Sequence, residues 1–229
     1  AYHILVASTP ELLEQGKGDI WDSGKIESDA SQWIAYQGKM LKRNAPYYWK
    51  VKIDTNKGTT DWSTPAFWTT GLFNEADWQG QWIGLDKAAP GDSETQWSRL
   101  AARYLRKEFA LKKEVKRATV HIAGMGLYEL FINGQRIGNQ VLAPAPTDYR
   151  KTILYNTYDV TSLLQTENAI GVTLGNGRFY TMRQNYKPYK IPTFGYPKLR
   201  LNLIVEYADG SKETIATNTT WKLTTDGPI

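Results

Sequence analysis

The 229-residue chain contains no cysteine. That excludes disulfides, thiolate metal sites and a cysteine nucleophile. It leaves the compartment open, since export does not require cysteine. Histidine is also scarce, with His3 and His121 the only two. Metal sites usually need several converging ligands, so a packing or surface role is expected for His121, which lies in mid-strand. No apolar run approaches the ~20 residues of a membrane span. The opening Ala-Tyr-His-Ile-Leu-Val lacks the basic start and long apolar core of a signal peptide. With no initiator Met, the chain is expected to be a piece of something longer. Basic residues are not clustered: the net charge is +5, and lysines and arginines are scattered among carboxylates. Nucleic-acid binding calls for a basic patch, so neither nucleic acid nor membrane is an expected partner. The densest basic run, from Arg103 to Arg117, is broken by Glu108, Phe109, Leu111 and Glu114 and reads as a solvated strand face.

Aromatic residues are abundant, with nine Trp and fourteen Tyr. They suit half-buried pleated surfaces, and the length suits two modest domains. An all-β chain of two β-sandwich domains is therefore expected. Residues 1–72 form the first. Tyr2, Ile4 and Val6 alternate, residues 10–15 make a helical turn or two opened by Thr9, and strands are expected at 19–26 and 32–36. Tyr47, Trp49 and Val51 share one strand face. The spacing from Leu41 to Tyr47 looks like the tyrosine corner of a fibronectin type III-like sandwich, whose hydroxyl bonds back to upstream backbone. That fold has seven strands. Aligning Tyr2-Ile4-Val6 with the third and Tyr47 with the sixth leaves the first two without sequence. One apolar sheet face should then be partly uncovered, an uncommon state for an isolated protein.

Residues 73–80 read as a linker, and residues 81–229 as an antiparallel sandwich of jelly-roll, galactose-binding-like type. Its sharpest local signal is Asn133-Gly134, a two-residue turn that needs φ > 0 twice. Tyr128, Leu130 and Ile132 alternate into it. Asp209-Gly210 marks a second turn.

Motifs of chemistry are few. No Gly-x-Ser-x-Gly elbow accompanies the available Ser, His and Asp residues. Gly124-Met-Gly126 and Gly175-Asn-Gly177 lack the third glycine of a nucleotide loop and read as turns. Glycoside hydrolysis needs two carboxyl groups at a defined separation, whereas Glu129, Asp148, Asp159, Glu167 and Asp226 stand singly in caps and turns. Residues 175–196 differ from the rest. They combine Arg178, Tyr180, Arg183, Tyr186, Tyr189 and Tyr196 with amides in a long loop, and long structured loops are often functional. Stacking faces with fixed donors and acceptors suit a sugar; packing against a neighbouring domain is the alternative.

Taken in order, these residues resemble a known family. Arg106-Lys-Glu-Phe, Ala118-Thr-Val, the run from Gly126 through Asn133-Gly134 to Gly138, Thr147-Asp-Tyr, Leu154-Tyr-Asn-Thr-Tyr-Asp-Val-Thr and Glu167-Asn-Ala-Ile-Gly-Val-Thr-Leu-Gly-Asn-Gly are similar to the N-terminal sandwich of bacterial α-L-rhamnosidases, glycoside hydrolase family 78. The Trp49 region and Phe67-Trp-Thr-Thr-Gly-Leu72 are similar to the fibronectin-like module before it. The resemblance covers almost the whole chain. It implies a parent enzyme whose inverting chemistry belongs to an (α/α)6 helical barrel. That barrel is an implied partner, no catalytic residue carries over, and the fragment alone is expected to be inactive. A periplasmic or extracellular location is likewise implied. In some members such a sandwich binds terminal rhamnose with Ca²⁺. The oxygen ligands that calcium prefers would here come from Asn139 and Asp148. Sugar contact would fall to Asn139, Asp148, Asn176, Arg178, Tyr180 and Tyr186. Relatives often carry Pro-Gly-Trp where this chain has Pro144-Ala145-Pro146, which would remove a stacking platform. An autonomous Ca²⁺-dependent rhamnose-binding module, a purely structural packing module and a sandwich from another glycosidase are the rival readings.

Overall fold

The computed structural model describes residues 1–89, 100–180 and 194–227. The described elements are all β apart from one short helix and two 3-10 turns. The chain divides into two units, Ala1–Phe73 and Asn74–Ile229.

The first unit is one antiparallel sheet. Its elements are β1 (Tyr2–Ala7), α1 (Pro10–Glu14), β2 (Trp21–Ile26), β3 (Pro46–Thr55), β4 (Gly58–Thr59) and β5 (Ala66–Thr69). The order is β2-β1-β3-β4, with β5 also on β3. Thr9 opens α1 by accepting from Leu12 N at 3.4 Å, and Pro10 sits where a missing N–H costs nothing. Gly16, at φ 72, closes it as a left-handed cap. The sheet is apolar on both faces. Leu5 and Ala7 of β1 pack with Leu13 of α1, Tyr48 and Trp62. Lys50 reaches across this side to donate to the Leu13 carbonyl, adding to the Gly16 N–H that the same oxygen accepts at the helix C-terminus. Ile4, Val6 and Tyr47 form the opposite face with Trp21, Trp49 and Trp68. The Tyr47 hydroxyl accepts from Lys42 N at 2.6 Å, so the expected bond to upstream backbone is present.

The strand expected at residues 32–36 does not form. Trp33 has φ 58, a left-handed conformation incompatible with an extended run. The segment lies instead along the Ile4–Val6 face, where Trp33, Ile34 and Tyr36 help to line a cavity of about 460 Å³ with Trp21, Trp49 and Trp68. Trp33 is 98% exposed and Met40 95%.

The second unit stacks two sheets. Its strands are β6 (Ile83–Gly84), β7 (Arg103–Ala110), β8 (Val115–Met125), β9 (Leu127–Ile132), β10 (Gln135–Ile137), β11 (Tyr155–Asp159), β12 (Glu167–Gly175), β13 (Lys198–Tyr207), β14 (Lys212–Ala216) and β15 (Lys222–Thr224). One sheet runs β10-β9-β12-β7-β15; the other runs β11-β8-β13-β14, with β6 on β13. Alternation decides the core. Val120 and Ile122 of β8 and Leu199, Leu201 and Leu203 of β13 meet Leu105, Leu130, Ile132, Ile170, Val172 and Leu174 of the facing sheet in one cluster. Each such side chain contributes about 1.5–3 kcal/mol when buried. Asn133 and Gly134 have φ 51 and 83 and set Ile132 opposite Gln135, as a type I′ turn requires. At Gly126 the chain passes from one sheet to the other. Its φ is +135, and a Cβ there would lie 2.3 Å from the Gly175 carbonyl oxygen, so a side chain is excluded on both counts.

Arg103 departs from the solvated face expected for its run. It is wholly buried, and its guanidinium donates to the carbonyls of Ala101 and Lys87. Burial of a guanidinium is tolerated where carbonyl oxygens receive its N–H groups.

Candidate functional site

The outward side chains of β13 and β8 do not face open solvent. Arg200 and Asn202 alternate with the core leucines of β13 and point away from the sandwich interior. The chain from residue 74 to 82 crosses them. Asn202 Nδ2 donates to the Asp77 carbonyl at 3.1 Å, and its Oδ1 accepts from Gly80 N at 2.8 Å. Residues 74–80, expected as a linker, are thus hydrogen-bonded into the second unit. A Cβ at Gly80 would sit 2.5 Å from the Leu201 carbonyl oxygen, so glycine permits the close crossing.

The crossing sets two indoles beside one guanidinium. Arg200 lies 5.1 Å from the Trp78 ring centroid and 5.9 Å from that of Trp82, within cation–π range. Its Nε donates to the Gly80 carbonyl at 2.6 Å and its Nη1 to Glu75. Tyr155 meets Trp78 edge-on, with centroids 5.5 Å apart. Beneath them His121 is fully buried, and its Nδ1 lies 2.9 Å from the Thr157 hydroxyl. Burial, reinforced by the Arg117 charge, lowers its pKa from 6.5 to about 4. The imidazole is therefore neutral and structural at pH 7. A groove of about 260 Å³ is lined by Trp78, Trp82, Tyr155 and Arg200 together with residues 149–153.

Tyr149 connects the groove to an aromatic cluster at one end of the sandwich. Its ring packs edge-on against Phe179 at 5.2 Å and Phe194 at 5.3 Å. The Tyr149 hydroxyl is buried with no hydrogen-bond partner among the described residues. Such an orphaned group is uncommon and costs on the order of 1–3 kcal/mol unless a ligand or water completes it. Burial pushes the phenol's pKa up, and the nearby Arg178 charge pulls it the other way.

The residues singled out from the sequence fall in several places. Asp148 binds Arg150, with Oδ1 3.0 Å from Nε; that guanidinium holds its carboxyl below the usual range and also lies 5.9 Å from the Phe194 ring. Asn176 donates to the Leu100 carbonyl at 3.0 Å, and its Oδ1 is buried without a hydrogen-bond partner among the described residues. Tyr180 stacks on Tyr196 at 5.8 Å. Arg178 is exposed, and so is Asn139 on the loop after β10. Tyr186 lies outside the described residues. The fold thus gathers residues 148–150 with 178, 179 and 194, while no described hydrogen bond or ion pair joins Asn139 to Asp148. For calcium the fit is poor among the described residues. No three carboxylate or imidazole side chains converge, and the Asp148 carboxylate is already engaged by a guanidinium. Ala145 and Pro146, where the family resemblance implied Gly-Trp, are exposed. Sequence reasoning did not single out Glu75, Trp78 or Arg200. The one available signal was the strict alternation of β13, which places Arg200 and Asn202 on a common face.

Comparison with known proteins identifies the family. Residues 113–229 match the sequence model of the α-L-rhamnosidase N-terminal domain, and residues 1–74 match that of the Rha78A-like N-terminal immunoglobulin domain. An α-L-rhamnosidase of Formosa agariphila is 39% identical over 249 residues, covering 100% of this chain and 26% of that protein. One from an Alteromonas species is 34% identical over 234 residues, covering 100% of this chain and 25% of its own length. Among solved structures, the α-L-rhamnosidase from Dictyoglumus thermophilum superposes with a TM-score of 0.85 at 39% identity, over 98% of this chain and 25% of that one. The chain spans about a quarter of the length of the curated relatives it matches. An immunoglobulin-like unit followed by a β-sandwich, matched in that order, places this chain in the α-L-rhamnosidase family, glycoside hydrolase family 78, as its non-catalytic N-terminal region.

Proposed function

We propose that the chain is an accessory region of an enzyme that removes terminal α-L-rhamnose from glycans or glycosides, and that its second unit contacts carbohydrate in the groove beside Tyr149. The observation that carries the enzyme assignment is the ordered pair of family matches over residues 1–74 and 113–229. The relatives that bear the name α-L-rhamnosidase are about four times longer. On this reading the hydrolytic carboxylates lie in the parent's helical domain. The first unit is a fibronectin type III-like variant of the immunoglobulin sandwich whose second layer is incomplete, in keeping with the Tyr47 hydroxyl bond to Lys42 N. The second is a jelly roll. The proposed setting is the periplasm or cell exterior, which fractionation of the source cells would test. An aryl α-L-rhamnoside assay on the purified chain should show no turnover; turnover would overturn the accessory assignment.

Carbohydrate contact is supported by the groove's make-up. Indole and phenol faces with a fixed guanidinium at the groove wall are what a pyranose ring with its hydroxyls needs. The volume of about 260 Å³ is below the range of drug-sized pockets and suits one or two sugar rings. Calorimetric titration with methyl α-L-rhamnoside should give saturable heat that Trp82→Ala weakens. Loss of that heat on adding EDTA would favour the calcium-dependent module instead. No heat with any sugar would leave packing within the parent enzyme as the role of this face.

A further inference from the structure

The loop after β10 carries a feature that does not belong to the groove. Val141 is 80% exposed and Leu142 70%, yet the loop that holds them out is fixed at both ends. Arg136 Nη2 donates to the Gln140 carbonyl at 2.8 Å, and the Tyr158 hydroxyl donates to Gln140 Oε1 at 3.2 Å. On the far side Tyr128 N donates to the Ala143 carbonyl at 2.7 Å, which bridges the loop to β9. Between these anchors Leu142 has φ 60. A bulky side chain is disfavoured in that left-handed conformation, whereas glycine adopts it freely. The chain thus places a leucine where the backbone is costly for it and where its own core gains little from the side chain. Strain kept at an exposed apolar position points to a use outside the folded unit.

We infer that Val141 and Leu142 form an apolar prong that docks into an apolar pocket on the rest of the parent protein. This rests on the chain's place in a longer parent, not on carbohydrate contact in the groove. The curated relatives run to about four times this length, so a covalently joined neighbour is at hand. Two aliphatic side chains bury far less than the roughly 1,600 Å² of a stable complex between separate proteins, which disfavours a second copy or a free partner. A tethered neighbour meets them at high effective concentration and needs little area. Sugar recognition draws on aromatic faces and hydrogen-bonding groups, and neither side chain has them. Insertion at a bilayer surface draws on Lys, Arg and Trp, and residues 138–146 contain no charged or aromatic residue.

The test compares the 229-residue chain with the parent protein that contains it. Val141→Cys is read by maleimide labelling. The chain has no other cysteine, and peptide mapping identifies the position in the parent. Labelling should be at least about tenfold slower in the parent, the protection that a docked state occupied about nine-tenths of the time provides. Leu142→Gly separates docking from folding. In the chain alone it relieves the left-handed backbone, so melting should hold or rise. In the parent it removes an anchor, and the transition of this unit should fall by about 2–4 °C. Leu142→Asn tolerates the same dihedral and should show the same split. Equal labelling rates in chain and parent would overturn the inference, as would melting that rises in both. Slow labelling in the chain alone, with sedimentation as a dimer, would assign the prong to a second copy and overturn it as well. None of these outcomes depends on whether the groove binds sugar.

Discussion

In the second unit Ile122, Leu199, Leu201 and Leu203 are all 0% exposed, each met by side chains of the facing sheet, whereas in the first unit Trp33 is 98% exposed and Phe67 68%. Both units start from the same material, antiparallel strands rich in Ile, Leu, Val and aromatics. They differ in what covers the sheet. β8 and β13 have a second sheet opposite them. β1 and β3 have α1 on one face and, on the other, a segment without strand structure that leaves a cavity of about 460 Å³. A sheet face becomes a core only where another regular layer meets it. Tryptophan can coat such a face, but it does not close it.

The largest effect that tests this contrast is truncation of the closed core. Leu201→Ala should destabilise the second unit by about 2–5 kcal/mol, because close-packed neighbours cannot collapse fully into the space. Ile4→Ala in the first unit removes a comparably apolar residue that already borders a cavity. Its cost should fall at the low end of that range, since less packing is lost. Amide hydrogen exchange resolved by residue reads the two units separately. Equal losses would break the comparison.

A somewhat smaller effect separates the units by pH. In the folded second unit His121 does not accept a proton until about pH 4, against 6.5 ordinarily. The unfolded chain therefore binds a proton across that window that the folded chain refuses, and stability rises with pH there. It should be complete above pH 6.5 and decline as the pH falls toward 4, by on the order of 3 kcal/mol. Denaturant titrations of the native protein and His121→Phe from pH 7 to 4 would show the slope and its loss. A slope retained in the variant would mean that carboxylates, not this imidazole, set the acid sensitivity.

Smaller again is the tyrosine corner. Tyr47→Phe removes the acceptor for Lys42 N, a 2.6 Å bond, and should cost about 1 kcal/mol. Exchange protection should drop in the first unit and stay constant in the second. An unchanged Lys42 amide would show that the bond is dispensable and that the loop is held by apolar contact alone.

What could be read in the sequence was local. Thr9-Pro10, Asn133-Gly134 and the spacing before Tyr47 each fix a hydrogen bond or a dihedral within a few residues, and each has its expected partner. The alternation of β13 is also local, and it separates Leu199, Leu201 and Leu203 from Arg200 and Asn202. It cannot say what lies on the outward side. An outward arginine on a strand defaults to solvent; only strand register and the path of residues 74–82 bring Gly80, Trp78 and Trp82 to Arg200. Half of the candidate site has this long-range origin. In the other half, Arg178 and the loop after Gly175 stood out by composition, and Asp148 through the family resemblance. Its central residue, Tyr149, was quoted only as the end of Thr147-Asp148-Tyr149, because nothing in a sequence marks a hydroxyl that is buried with no partner among the described residues. The failed strand at residues 32–36 has the opposite lesson: its residues make a strand plausible, and a left-handed Trp33 interrupts the extended run.

The smallest expected effect bears most directly on what Trp33 is for. A side chain 98% exposed makes almost no contact that folding could gain from. Trp33→Ser should therefore change the stability of the first unit by no more than about 0.5 kcal/mol, the ordinary range for surface substitutions. The left-handed φ of 58 strengthens the expectation. A bulky residue is disfavoured there, while a small polar one tolerates it better, so the sign should be neutral or slightly stabilising. A loss of 1.5 kcal/mol or more, well beyond that surface range, would show that the indole closes over the cavity in solution. The first unit would then be nearer to a closed core than the exposure of Trp33 implies, and the contrast between one covered sheet and two facing sheets would narrow to a difference of degree.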